Sequence, residues 1–370
     1  MKKTLILLTF ILFAALTTFQ SCEQSANITE EQTPDLPQTA LSYDDAIQRK
    51  SSHYNLNSNR INNINNDIAT LGRVLFYDKK LSINSSVACA SCHLQSKAFA
   101  DLGAESTGFG GIKTKRNSPS IVNAFNASTF FWDARTDDLN DMVLLPVQNH
   151  IEMGLENLDN LEKKLELTSY YQALFDKAFV GNGEITKEKI ATALSNFLSS
   201  MISTNSKFDQ ADQADDFSSF SQVEKDGMTL FNGNAQCASC HSGQDFNGWG
   251  NNWANIGLEM EYTDNGVGAL EGNSGFEGVF KVPTLRNIAM TAPYMHDGRY
   301  KTLEEVINHY NGNLVNHPNL DRKLKEGWNG DGEIIQLNLS NYEKQALIAF
   351  LRTLTDPFIM TEERFANPFN

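Results

Sequence analysis

Apolar residues in this chain gather into short helical runs separated by long polar stretches, and no run alternates as a strand would. Leu71, Val74 and Leu75 have helical spacing, and Met228, Leu230 and Phe231 repeat the motif behind a capping box formed by Ser221 and Glu224. Between them Ile185, Ile190, Leu194, Phe197, Leu198 and Met201 mark one face of a longer helix. Thr302 with Glu305 and Ser340 with Glu343 form further capping boxes; the helices they open include Val306–Ile307 and Leu347, Phe350, Leu351 and Leu354 on their apolar faces. The Gly- and Asn-rich stretch 243–278 lacks periodicity and reads as a long loop. The pattern predicts an all-α protein of helices and long loops in two similar lobes.

The N-terminus has a separate logic. Lys2 and Lys3 precede an apolar run from Leu5 to Leu16, then small polar residues and Cys22, which is the order of a secretory signal. The pattern resembles a bacterial lipoprotein signal, with cleavage before Cys22 and lipid on its thiol. We therefore expect residues 1–21 to be a signal peptide and 22–50 a flexible tether. Residues 51–210 form an N-terminal domain and 211–370 a C-terminal one. No other stretch is apolar enough to cross a bilayer, so the expected membrane contact is the lipid anchor alone, in the periplasm.

Composition narrows the function. The 370 residues carry a net charge of −15, and removal of the signal leaves 28 cationic against 45 acidic side chains, or −17. Such a surface does not suit binding to nucleic acid phosphates. Of five cysteines, four lie in two identical pentads, Cys89-Ala90-Ser91-Cys92-His93 and Cys237-Ala238-Ser239-Cys240-His241. Each follows a Leu-Phe pair near the end of a helix, and an internal duplication is the economical explanation.

Cys-x-x-Cys-His is the c-type haem attachment signature: two thiols add to the porphyrin vinyls and the histidine ligates iron. Zinc would need a fourth ligand at each pentad, and none is evident. A thioredoxin-like pair would need alternating strands and helices, which the pattern lacks. With Cys22 reserved for lipid, the other four cysteines account for two covalently bound c-type haems.

Around these pentads the chain resembles the bacterial dihaem cytochrome c peroxidases, including the branch that matures a tryptophylquinone cofactor. The matching strings are Leu-Gly-Arg-Val-Leu-Phe-Tyr-Asp (71–78), Arg-Asn-Ser-Pro-Ser (116–120), Phe-Trp-Asp-Ala-Arg (131–135), Ile-Glu-Met (151–153), Phe-Lys-Val-Pro-Thr-Leu-Arg-Asn (280–287) and Thr-Ala-Pro-Tyr-Met-His-Asp-Gly-Arg (291–299). The resemblance covers roughly residues 68–357 and implies two cytochrome c-like helical domains, each with one covalent haem, and a calcium ion between them. It implies that His93 ligates a peroxidatic haem and His241 an electron-transfer haem, with Trp132 as the relay. It also implies Asn117, Thr291 and Pro293 as calcium ligands, the last two through backbone carbonyls, and Glu152 as the distal acid–base group.

Three positions depart from the commonest pattern. The distal His that blocks the peroxidatic haem in many members falls on Phe109, and Thr107–Lys115 contains no His, so the expected haem is open without prior reduction. The distal glutamine falls on Met142, which cannot donate a hydrogen bond to peroxide; it either weakens that chemistry or merely lines an apolar pocket. The methionine ligand of the second haem falls on Tyr310, as in the quinone-maturing enzymes, with Met260, Met290 and Met295 as alternatives. The expected activity is reduction of hydrogen peroxide to water with electrons from a small donor, a cytochrome c or cupredoxin. Family members are often homodimers. The alternatives are oxidation of a partner protein or small molecule through ferryl haem, and a non-catalytic dihaem electron carrier.

Overall fold

The computed structural model describes residues 32–37, 41–44, 64–248, 250, 252–327 and 329–369. The expected signal, Cys22, His53 and most of the tether lie outside the described residues. Helix α1 (Asn66–Tyr77) begins where the Asn65 side chain accepts from the amides of Asp67 and Ile68, and it buries Leu71, Val74 and Leu75. The helices α2 (Leu139–Gln148), α3 (Leu158–Glu166), α4 (Tyr171–Ala178) and α5 (Lys187–Ser200) follow. The apolar face expected around Phe197 lies on α5, where Ile190, Leu194, Phe197 and Leu198 are buried.

Further along come α6 (Lys207–Ala214), α7 (Gln222–Asn232), the short α8 (Val267–Glu271), α9 (Leu303–Gly312), α10 (Asn341–Arg352) and α11 (Pro357–Thr361). All three expected capping boxes are formed, opening α7, α9 and α10. The long loop 243–278 contains α8 and the two-residue strand β1 (Trp253–Ala254), which pairs antiparallel with β2 (Phe280–Lys281). The described chain is otherwise helix, turn and loop, in keeping with the predicted class.

The duplication suggested by the pentads extends through the backbone. Helix α1 crosses α5 at Gly72, and α7 crosses α10 at Gly227. A Cβ on Gly72 would overlap the Ala193 carbonyl, and one on Gly227 the Ala346 carbonyl. Downstream, Asn123 and Asn287 both adopt left-handed conformations, which Asn tolerates. Their amides donate to Met201 O at 2.9 Å and Leu354 O at 3.0 Å, just beyond α5 and α10. Phe131 and Met295 are left-handed too, and the bridge Phe130–Thr136 recurs as Tyr294–Tyr300. These equivalents share an offset of 164 positions.

Two apolar cores result within Thr33–Asn370, which is one compact unit. The first gathers Phe76, Phe99, Phe175 and Phe197; the second gathers Phe231, Phe246 and Phe350. Helix α6 spans the expected 210/211 boundary, and its Ala211 belongs to the second core. The last residues cross back: Ile359 and Phe365 are buried in the first core, where Tyr43 from the expected tether is also fully buried. A buried ionic knot joins the halves. Arg286, 2% exposed, meets Asp209 at 2.9 Å and Asp245 at 3.1 Å, while Asn123 and Asn126 donate to Asp245 at 2.8 and 2.6 Å.

Replacing Gly72 or Gly227 by alanine forces the crossing helices apart and is expected to cost about 1–3 kcal/mol, as overpacking does. Thermal melts followed by circular dichroism check this. Gly110→Ala, where an added Cβ meets nothing within 4 Å, should leave the melt unchanged.

Candidate active site

Each pentad forms a 3₁₀ turn, Cys89–Ser91 and Cys237–Ser239, delivered by the end of α1 or α7. A cavity of about 1350 Å³ runs past both and is lined by Cys89, Cys92 and His93 at one region and by Cys237, Cys240 and His241 at another. This exceeds the roughly 300–1,000 Å³ of a pocket for one small molecule. All four described cysteines are free. Burial pushes the Cys89 and Cys237 thiols up to about 12, away from the lowered thiol of a reactive redox cysteine. Among the described residues no group of three or more His, Cys, Asp or Glu side chains is placed to hold a metal ion.

The histidines are oriented alike. The Nδ1 of His93 lies 2.9 Å from Phe99 O, and that of His241 lies 2.8 Å from Phe246 O. A carbonyl partner makes Nδ1 the donor and frees Nε2, the arrangement that metal-ligating histidines adopt. Burial lowers the pKa of both, that of His241 to about 4, so the imidazoles are neutral and able to ligate. Paired thiols, an oriented imidazole and apolar walls fit a haem at each pentad.

Trp132 sits among Leu258, Tyr262 and Phe280, and its Nε1 donates to Asn117 O at 2.9 Å. Its string is held by Asp133, 7% exposed, which pairs with Arg116 at 2.6 Å and Arg135 at 3.0 Å. Arg116 also reaches Asp264 at 2.6 Å, and Arg135 covers the Phe131 ring at 3.6 Å. Glu152 lines the cavity on the turn after α2; desolvation raises its pKa, and Arg135 partly offsets this. Met142, on α2, is both a member of the first core and part of the cavity wall.

Phe109 is not on the cavity wall. Its ring packs over Gly154, which has a φ of 75°, and its amide donates to Glu152 O at 2.9 Å. Tyr310, on α9, lines the cavity beside Cys237 and Cys240, and burial raises its phenol well above the ordinary value. Of the alternative methionines, Met295 lines the cavity while Met260 is 54% exposed and Met290 is not on the wall. Asn117, Thr291 and Pro293 all border the cavity, and the Asn117 side chain donates to Gly103 O at 2.9 Å. Such a donor set is neutral amide and carbonyl oxygen, which suits calcium and not a thiophilic metal.

The remaining histidines are accounted for mostly by packing. His296 stacks on Phe280 with centroids 3.8 Å apart, and His309 lies between Ile256 O and Tyr300 OH at 2.8 and 3.2 Å. His317 accepts from the Asn319 amide at 3.0 Å. Sequence reasoning passed over Asp133, Arg116 and Lys281; only their places inside the quoted strings could have singled them out.

A family model described as di-haem cytochrome c peroxidase matches residues 66–216. The methylamine utilization protein MauG of Methylophilus methylotrophus is 31% identical, over 77% of this chain and 82% of that protein. The chain belongs to the di-haem cytochrome c peroxidase family. The cytochrome c551 peroxidase of Nitrosomonas europaea is 32% identical, over 79% of this chain and 80% of that protein. A solved structure, of a MauG-like protein associated with microbial copper homeostasis, superposes with a TM-score of 0.72 and 31% identity. The match covers 83% of this chain and 94% of that one. This family member is accordingly a haem-dependent oxidoreductase of the cytochrome c peroxidase type.

Trp132→Phe removes the donor to Asn117 O and is expected to lower stability by about 1–3 kcal/mol, the cost of leaving an inward carbonyl unpaired. Urea unfolding checks it: the midpoint should fall with the slope unchanged.

Proposed function

We propose that the protein is an exported, lipid-anchored peroxidase that reduces hydrogen peroxide to water. Each peroxide takes two electrons and two protons and leaves as two waters. A small donor protein, a cytochrome c or cupredoxin, supplies the electrons, and the acidic surface of the mature chain favours a basic donor. Cys89 and Cys92 would hold one haem covalently with His93 on its iron. Cys237, Cys240 and His241 would hold the second in a separate C-terminal cytochrome c-like domain. The bound haems supply the redox chemistry, and the side chains around them orient the reactants and move protons.

The observation that carries this reading is Glu152 on the cavity wall near the first pentad, with its carboxyl pKa raised by desolvation. A carboxyl tuned upward can take a proton from one peroxide oxygen and return it to the other near neutral pH. Phe109, turned onto Gly154, supports an open position that needs no activating reduction. Trp132, on the wall of the same cavity, would relay electrons, and Asn117, Thr291 and Pro293 would hold a calcium ion. Met142 contributes an apolar wall and no hydrogen bond.

Tyr310 favours a second reading. Its place beside Cys237 and Cys240 suits a phenolate ligand on the second iron, which stabilises the ferric state. That would suit oxidation of a partner protein or small molecule by retained oxidising equivalents, in place of rapid re-reduction by a donor.

One equivalent of peroxide added to the fully oxidised holo-protein should change the Soret band within the mixing time and recover when reduced cytochrome is supplied. Glu152→Gln should slow that change by about 10²–10⁴-fold. In the wild type the rate should fall as pH drops through a value above the ordinary carboxylate range, because the base form is lost there. No spectral change in either the oxidised or the one-electron-reduced protein would leave only an electron carrier.

A further inference from the structure

The duplication has a reciprocal seam. Asn117 N donates to His296 O at 2.7 Å, and Lys281 N donates to Trp132 O at 2.7 Å. Asn117 and Lys281 share the offset of 164, as do Trp132 and His296, so each half binds the other through the same backbone bond. Each donor lies two residues ahead of a proline, Pro119 or Pro283, whose carbonyl acts on the pentad histidine of its own half. Asn117 and Lys281 thus occupy equivalent places on the cavity wall. One carries a neutral amide and the other an ammonium.

Of the other cationic side chains on that wall, the arginines have their charges met, and Lys115 is exposed to solvent. Arg116 has Asp133 and Asp264, Arg135 has Asp133, and Arg286 has Asp209 and Asp245. Lys323 reaches Asn252 at 3.5 Å. Lys281 has no hydrogen bond from its ammonium and no ion pair among the described residues. Desolvation is the sole influence on it, lowering its pKa to about 8. Lys281 is partly shielded from solvent on the cavity wall, and a partly desolvated ammonium is stabilised by an anion that faces it. The carboxylates on that wall, Glu105, Asp133, Glu152, Asp245 and Asp264, make no ion pair with it, while a c-type haem carries two propionate carboxylates.

We propose that Lys281 is the cationic anchor of a haem propionate, a fixed positive charge placed where the other half presents Asn117. The inference rests on the reading that the cavity holds two c-type haems. An ammonium beside a propionate disfavours the more positive ferric state, so Lys281 raises the midpoint potential of the haem it touches.

The test compares wild-type, Lys281→Arg and Lys281→Met holo-proteins matured with c-type haem, by pyridine haemochrome and by optical redox titration of each haem. Lys281→Met should keep two haems and shift the ferric-to-ferrous ratio of one of them on the order of tenfold, a fall of about 59 mV for a one-electron couple. Lys281→Arg should stay near wild type, and the haem that shifts in Lys281→Met identifies whose propionate is bound. Unchanged potentials for both haems in Lys281→Met overturn the proposal. So does loss of haem from Lys281→Arg and Lys281→Met alike, which would mark a packing role; loss from Lys281→Met alone supports it. A wild-type chain that takes up fewer than two haems would instead sink the underlying reading.

Discussion

Two helices can touch backbone to backbone only where one of them lacks a side chain, and both halves of this protein are built on such a contact. Gly72 lets α1 settle onto the Ala193 carbonyl of α5, and Gly227 lets α7 settle onto the Ala346 carbonyl of α10. The pentads follow twelve residues beyond α1 and five beyond α7. Just past α5 and α10, the carbonyls of Met201 and Leu354 receive the amides of Asn123 and Asn287. Those left-handed asparagines turn the chain back along the cavity. In each half one glycine thus brings together the two helices that flank the pentad and the returning chain.

Desolvation then assigns the chemistry. The same dry walls keep the Cys89 and Cys237 thiols protonated and the His93 and His241 imidazoles neutral. They lift the Glu152 carboxyl and lower the Lys281 ammonium. Each shift disfavours charge, and the proposed function uses it differently at each place: the neutral histidines could ligate, the Glu152 carboxyl could move a proton, and the Lys281 ammonium could meet a propionate. Where the halves meet, the protein instead sets carboxylates against Arg116 and Arg286, to hold loops that have no helix to hold them.

Much of this was legible in the residues alone. The pentads declare their chemistry because thiol spacing and an adjacent histidine are local features, and the capping boxes at Ser221, Thr302 and Ser340 are local too. Helices α2, α3, α4 and α6 escaped notice. Pro146 interrupts the pattern of α2, and the other three are of eight or nine residues with polar outer faces. The roles of Gly72 and Gly227 were invisible because their partners lie more than 100 residues away in the chain. Likewise nothing local in the sequence marks Lys281 as a cavity residue, and the seat of the Phe109 ring over Gly154 shows only in the fold.

The return of the C-terminus to the first core ties two distant ends of the chain together. Arg73 donates to Ala366 O at 2.6 Å, Tyr77 to Phe365 O at 2.6 Å, and Gln95, two residues past His93, to Glu362 O at 2.8 Å. The Asp35 amide meets Pro368 O at 2.7 Å. The first core is therefore sealed by a segment far along the chain: Ile359 and Phe365 are buried in it, and the helix that precedes the first pentad is pinned to Phe365 and Ala366.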